Sequence, residues 1–117
     1  MKYLLLIYFD EAWGKLSAAE RQEIYWGQMR LSEQLTADGK YLGGNPLHPT
    51  STATSVRVRD GKRLLTDGPF AETREQLGGY MLIDVPDLDE AIAIAAAGPV
   101  SQVGVVEVRP VREGPPA

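Results

Sequence analysis

The chain of 117 residues has no cysteine, one histidine and two phenylalanines. Without thiols there are no disulfides, thiolate nucleophiles or cysteine-ligated metals, a composition that fits a reducing cytoplasm. His48 alone, among scattered carboxylates, does not make the ligand cluster that metals need. Neither a metal nor another cofactor is expected. Positive charge is also in short supply: 12 Lys and Arg against 16 Asp and Glu give a formal charge of −4. A protein that grips phosphate backbones carries a basic face, so direct nucleic-acid binding is not expected. Long apolar runs are missing too. Met1 to Phe9 superficially looks like a leader, but its apolar run stops at Asp10-Glu11 with no small-residue cleavage site, far short of a membrane span. It reads as a buried first strand.

What is present is ordinary for a water-soluble domain: 44% hydrophobic and 24% charged residues. A chain of this size buries roughly 65% of its unfolded surface. That leaves room for one sheet and two helices but not for a separate cofactor domain. Residues 1–112 read as a single domain, with Glu113-Gly114-Pro115-Pro116-Ala117 as a frayed tail.

Tyr3 to Phe9 shows no alternation, which predicts a strand buried on both faces. After a loop through Leu16, Ser17-Ala18-Ala19-Glu20 is a capping box opening a helix that runs to about Asp38 and stops at Gly39. Ile24, Gln28, Leu31 and Leu35 form its inner stripe, with Gln28 the polar intruder. Tyr41-Leu42 begins a short strand that the glycines and Pro46 should break. Thr52 to Arg59 and Lys62 to Thr66 pair through Asp60-Gly61, a two-residue hairpin signal. Arg57, Arg59, Lys62 and Arg63 give this hairpin a basic patch, read as a solvated strand face. Gly79 to Val85 is a further strand, Asp87 caps a helix over Leu88 to Ala97, Gly98-Pro99 ends it, and Val103 to Val111 is the last strand.

That order makes two split βαβ units, a ferredoxin-like α+β fold with an added β-hairpin. Right-handed crossovers put both helices on one sheet face. The other face would then be an exposed apolar surface, which soluble monomers rarely tolerate, so a homodimer is expected, its two sheets facing each other.

The run Asp67-Gly68-Pro69-Phe70 sets a carboxylate, two backbone-restricting residues and an aromatic ring just before an apolar strand, followed by Glu72, Glu75 and Gly78-Gly79-Tyr80. With Val85-Pro86-Asp87-Leu88-Asp89-Glu90-Ala91 and Val106-Glu107-Val108-Arg109-Pro110-Val111, it resembles the YCII-related family, in the branch named for its DGPF motif. The resemblance spans nearly the whole chain. It implies a dimeric α+β barrel, relatives with lyase or dehydrochlorinase-like activity, and, for the DGPF branch, frequent genetic proximity to extracytoplasmic-function sigma factors. In some relatives a histidine on the first helix joins an aspartate at the cleft. Counting back from Gly39, that position is Gln28 here. Glutamine takes up no proton at neutral pH, which puts the dyad chemistry in doubt.

Asp67 is the first candidate for chemistry. It is either a general base whose pKa is raised by Phe70 and Tyr80 or a turn aspartate bonding nearby amides. Gly68, Pro69, Phe70, Glu72, Tyr80 and Gln28 are candidate ligand contacts. Phe70 reads equally as a plug under a loop, and Gln28 as an amide bonded to backbone. Glu72 and Glu75 read as part of a solvated helical turn. His48, between Pro46 and Pro49, is an idle loop residue unless its loop folds over the cleft beside Asp67. Glu107 and Arg109 share one face of the last strand. Three functions follow: a small-molecule-binding accessory or regulatory protein, an acid–base enzyme acting on a small aromatic or carbonyl compound, and an assembly module. The first is favoured, because acid–base catalysis needs a tuned pair of titratable groups and Asp67 is the one credible half.

Overall fold

The opening strand, β1 (Lys2–Phe9), is the element on which the chain is assembled, and it does alternate. The computed structural model describes residues 1–71 and 73–116. Tyr3, Leu5 and Ile7 are buried, whereas Leu4, Leu6 and Tyr8 are half-buried. An unbroken apolar run therefore serves two different faces, which composition alone could not separate.

A short helix, α1 (Glu11–Lys15), replaces the expected loop. Asp10 caps it, its carboxylate accepting from the Ala12 amide at 2.8 Å. The long helix α2 (Ala18–Ala37) begins at the expected capping box. Glu20 N–H donates to Ser17 Oγ at 3.1 Å, and Ser17 N–H donates to Glu20 Oε1 at 2.9 Å. Those bonds hold the Glu20 carboxyl below its usual pKa. Strand β2 (Tyr41–Pro46) continues through its glycines and proline with a register irregularity between Tyr41 and Gly43. It is an edge strand, where a proline's missing N–H is tolerated.

β3 (Thr54–Arg59) and β4 (Lys62–Asp67) form the expected hairpin. Asp60 and Gly61 both have positive φ, 53° and 73°, as a two-residue primed turn requires. β5 (Gln76–Asp84), helix α3 (Leu88–Ala97, capped by Asp87) and β6 (Gly104–Pro110) complete the chain. Residues 73–75 are not helical as expected: the Thr73 hydroxyl closes a bend onto the Glu75 carbonyl at 2.6 Å.

The main sheet has the order β2-β5-β1-β6, every neighbouring pair antiparallel. This is the split βαβ arrangement, with β3–β4 standing apart as a two-stranded sheet. The core lies between the main sheet and the helices. It gathers Tyr3, Leu5 and Ile7, Met81 and Ile83 beside them, and Leu35, Ala91, Ile94 and Val100 from above. Leu5 and Ile83 are 1% and 0% exposed, and burying each side chain contributes about 1.5–3 kcal/mol. Among the described residues, no helix is long and apolar enough to cross a membrane.

The opposite sheet face has no cover. By register it carries Leu4, Leu6 and Tyr8 beside Leu82, Tyr80, Val105, Glu107 and Arg109. It is less apolar than the sequence led one to expect. Arg109 Nε donates to Glu107 at 3.1 Å and the Tyr8 hydroxyl donates to the same carboxylate at 3.4 Å, a polar strip along a mostly apolar surface.

Candidate functional site

The cleft exists because three glycines remove side chains from one end of the sheet. Gly44 on β2 and Gly78 and Gly79 on β5 lie where α2 leaves the sheet, and the space beneath the helix stays open. Larger residues would not fit. A Cβ on Gly44 would come within 2.5 Å of the Tyr80 carbonyl oxygen, and one on Gly78 within 2.4 Å of the Phe9 ring. The C-terminal part of α2 is held down by Leu31 and buried Leu35, while Ile24, Tyr25 and Met29, nearer its start and middle, border the gap. The resulting cleft has a volume of about 370 Å³, within the range that small-molecule sites occupy.

One wall is aromatic. Phe9 and Trp13 stack with centroids 4.1 Å apart and planes 26° from parallel. Tyr41, Met81 and Leu77 continue the apolar lining, and Tyr80 borders the cleft from β5 although by register its side chain shares the opposite face with Leu82. Burial pushes the Tyr41 phenol above its ordinary pKa, with Tyr80 adding to the effect, so Tyr41 stays a protonated donor. Asn45 Nδ2 donates to the Tyr80 hydroxyl oxygen at 3.1 Å. Arg21, half-buried, also lines the cleft, its Nη1 donating to the Leu16 carbonyl at 2.7 Å. His48 is exposed on the rim, in the loop between β2 and β3.

Of the residues singled out from sequence, Gln28, His48 and Tyr80 meet at this cleft. Gln28 has a structural task as well. Its Oε1 accepts from the Val100 amide at 3.4 Å and its Nε2 faces the Met81 sulfur at 3.8 Å. A Cβ on Gly98 would lie 2.2 Å from that same Oε1. Gln28 thus ties α2 to β5 and to the turn after α3, filling in neutral form the place the resemblance gives to a histidine.

Asp67, Gly68, Pro69 and Phe70 are elsewhere, at the base of the β3–β4 hairpin, and none of them lines the cleft. The turn is well made. Gly68 has φ 91°, its N–H donates to the Ala53 carbonyl at 2.7 Å, and the Ser55 hydroxyl donates to the Gly68 carbonyl at 2.8 Å. Yet Asp67 is exposed and Phe70 is 80% exposed. The apolar surroundings expected for the carboxylate are not found within one chain, nor does His48 reach it through the cleft. Glu72 lies outside the described residues. Sequence reasoning missed Arg21, Trp13 and the glycine floor. No group of His, Asp and Glu with metal-site geometry occurs among the described residues.

Comparison with known proteins supplies the rest. Residues 1–114 match the model of the YCII-related domain family, and the chain belongs to that family. A protein of Rhizobium meliloti (strain 1021), itself uncharacterized, is 37% identical over 118 residues, covering 94% of this chain and 91% of its own. In structure the chain is similar to the 5-chloro-2-hydroxyhydroquinone dehydrochlorinase of Burkholderia phenoliruptrix AC1100, solved in complex with 2,5-dihydroxybenzoquinone. The TM-score is 0.59 at 15% identity, over 97% of this chain and 96% of the other. At that identity the likeness establishes a shared fold.

Proposed function

Starting from membership of the YCII-related domain family, we propose that this chain is a homodimeric protein that binds a small molecule in the cleft beneath α2. The observation that carries this reading is the glycine-floored cavity of about 370 Å³ with its aromatic wall. Concave, largely apolar sites with a few placed polar groups are what small ligands select. The test is a thermal-shift screen with small metabolites on wild type, on Met29→Trp to block the cleft, and on Asp67→Asn. Ligands that stabilise wild type and Asp67→Asn but not Met29→Trp support cleft binding. Loss in Asp67→Asn alone moves the site to the DGPF turn.

A second reading is an acid–base enzyme of lyase or dehydrochlorinase type. It is favoured by His48 at the rim of the same cleft and by the chemistry named for the Burkholderia protein of similar fold. Against it, no carboxylate lines the cleft with His48 among the described residues, and Gln28 cannot carry a proton. Turnover that vanishes in His48→Ala would favour catalysis. A cytoplasmic setting and an accessory role beside a sigma factor are part of the proposal. They rest on the cysteine-free composition and on the family resemblance respectively.

Homodimerisation draws support from two uncovered surfaces. One is the open sheet face with Leu4, Leu6 and Leu82. The other is the hairpin, where Val56, Val58 and Leu65 share a face and are 60%, 57% and 65% exposed. A two-stranded hairpin has marginal stability by itself. This one has four basic side chains against two acidic ones, in a chain of net charge −4, so a second copy offers the complementary charge. A Val58→Asp, Leu65→Asp double variant should elute as a monomer in light-scattering chromatography while the body keeps its helical signal. A wild type that is monomeric at high concentration would refute the dimer.

A further inference from the structure

The electrostatics of the cleft narrow what it can hold. Among the described lining residues there is no aspartate or glutamate, although acidic residues outnumber basic ones in the chain. The ionisable groups that do line it are Arg21, His48 and tyrosines. Arg21 enters none of the ion pairs among the described residues. Its bond to the Leu16 carbonyl uses one donor and fixes the guanidinium, leaving further N–H groups of a five-donor fork for another acceptor. A half-buried cation without a counter-charge is a standing electrostatic cost, and a bound anion relieves it. The same cleft is lined by the flat Phe9–Trp13 stack, whose Phe9 ring packs onto the bare backbone of Gly78. Rings prefer offset or edge contact with such surfaces.

We infer that the ligand is a small planar aromatic compound bearing an anionic group, its ring against the Phe9–Trp13 stack and its charge on Arg21. This rests on the cleft being the binding site and specifies its occupant. Cationic ligands find no acidic partner among the described lining residues. Nucleotides are disfavoured because the glycine pairs lie within strands β2 and β5 and open no helix, so no helix N-terminus is offered to a phosphate. The Tyr41 hydroxyl, beside Gly44 on the cleft floor, supplies a hydrogen bond to a ring substituent.

Trp13 is a built-in reporter. In a Trp26→Phe background it is the single tryptophan, and its fluorescence can be titrated with benzoate, benzyl alcohol, benzylamine and cyclohexanecarboxylate. Benzoate is expected to quench it and to bind about tenfold more tightly than benzyl alcohol, the scale of one charge-assisted hydrogen bond. Benzylamine should not bind, and cyclohexanecarboxylate should bind more weakly than benzoate. Arg21→Gln should abolish the preference for benzoate over benzyl alcohol while lowering the melt only by the loss of the Leu16 hydrogen bond, and Arg21→Lys should restore part of the preference. Equal binding of benzoate and benzyl alcohol, or a preference that survives Arg21→Gln, overturns the assignment of charge while leaving the cleft as a binding site. If other metabolites stabilise the protein but no aromatic compound does, the occupant named here is wrong. If nothing binds wild type in preference to Met29→Trp, the cleft reading falls with it.

Discussion

The main sheet and the β3–β4 hairpin are both antiparallel, both rich in aliphatic residues, and energetically unlike. In the sheet, Leu5 and Ile83 are sealed between strands and helices. In the hairpin no residue is buried, and Val56, Val58, Leu64 and Leu65 face water within the single chain. The chain is correspondingly extended, with a radius of gyration of 16.2 Å against about 13 Å for a compact domain of its length. Strand sequence specifies pairing in both places, but stability comes only where a second layer covers the strands.

The sharpest way to break this contrast is truncation. Ile83→Ala should cost about 2–5 kcal/mol in urea unfolding, because a sealed site cannot collapse around the void. Leu65→Ala in dilute, monomeric protein should stay within about 0.5 kcal/mol. Equal losses would mean that the hairpin packs on its own body. Next come the glycines. Gly44→Ala should cost about 1–3 kcal/mol globally, since the added carbon meets the Tyr80 backbone. Gly61→Ala should cost about 1–2 kcal/mol from its left-handed backbone, read as faster hydrogen exchange confined to hairpin amides. Ser17→Ala removes the α2 cap and should lower stability by about 1 kcal/mol without affecting the hairpin.

The smallest effect is in pH. Lys40 Nζ lies 2.6 Å from Glu90, joining the entry of β2 to α3. The hydrogen bond to Glu90, then its charge, raise the Lys40 pKa above 10.5. A raised ammonium stabilises the fold fully below its unfolded value and loses that contribution as pH climbs through its folded value. The melting temperature of wild type should therefore fall more steeply above pH 10.5 than that of Glu90→Gln. Glu20, lowered below 4.5, contributes in the opposite window, present above that value and lost as pH falls. Neither slope should alter exchange in the hairpin.

Particular residues show how far the sequence could be read. Ser17 with Glu20, Asp87 with Glu90, and Asp60-Gly61 each gave the right start or turn, because their bonds close within a few residues. Tyr3 to Phe9 was recognised as a strand but not as two-faced, since its outer side is as apolar as its inner. The candidate site was half legible. Gln28, His48 and Tyr80 reach the cleft, whereas the Asp67 to Phe70 turn, the most conspicuous motif, lies at the base of the hairpin. Arg21 and Trp13 carried no motif at all.

The local sequence was enough for the strands, the two helices packed on the sheet and their order, and therefore the split βαβ topology, since caps, turns and alternation act over short stretches and the handedness of crossovers does the rest. It did not foretell α1 or the bend at 73–75. Only the tertiary structure decided where the cavity lies and that the hairpin stands clear of the body. Gly44, Gly78 and Gly79 become one floor through the pairing of β2 with β5, and Arg21 joins their cleft only because α2 passes above them. Those are long-range registers, and nothing in the local chemistry of any one segment encodes them.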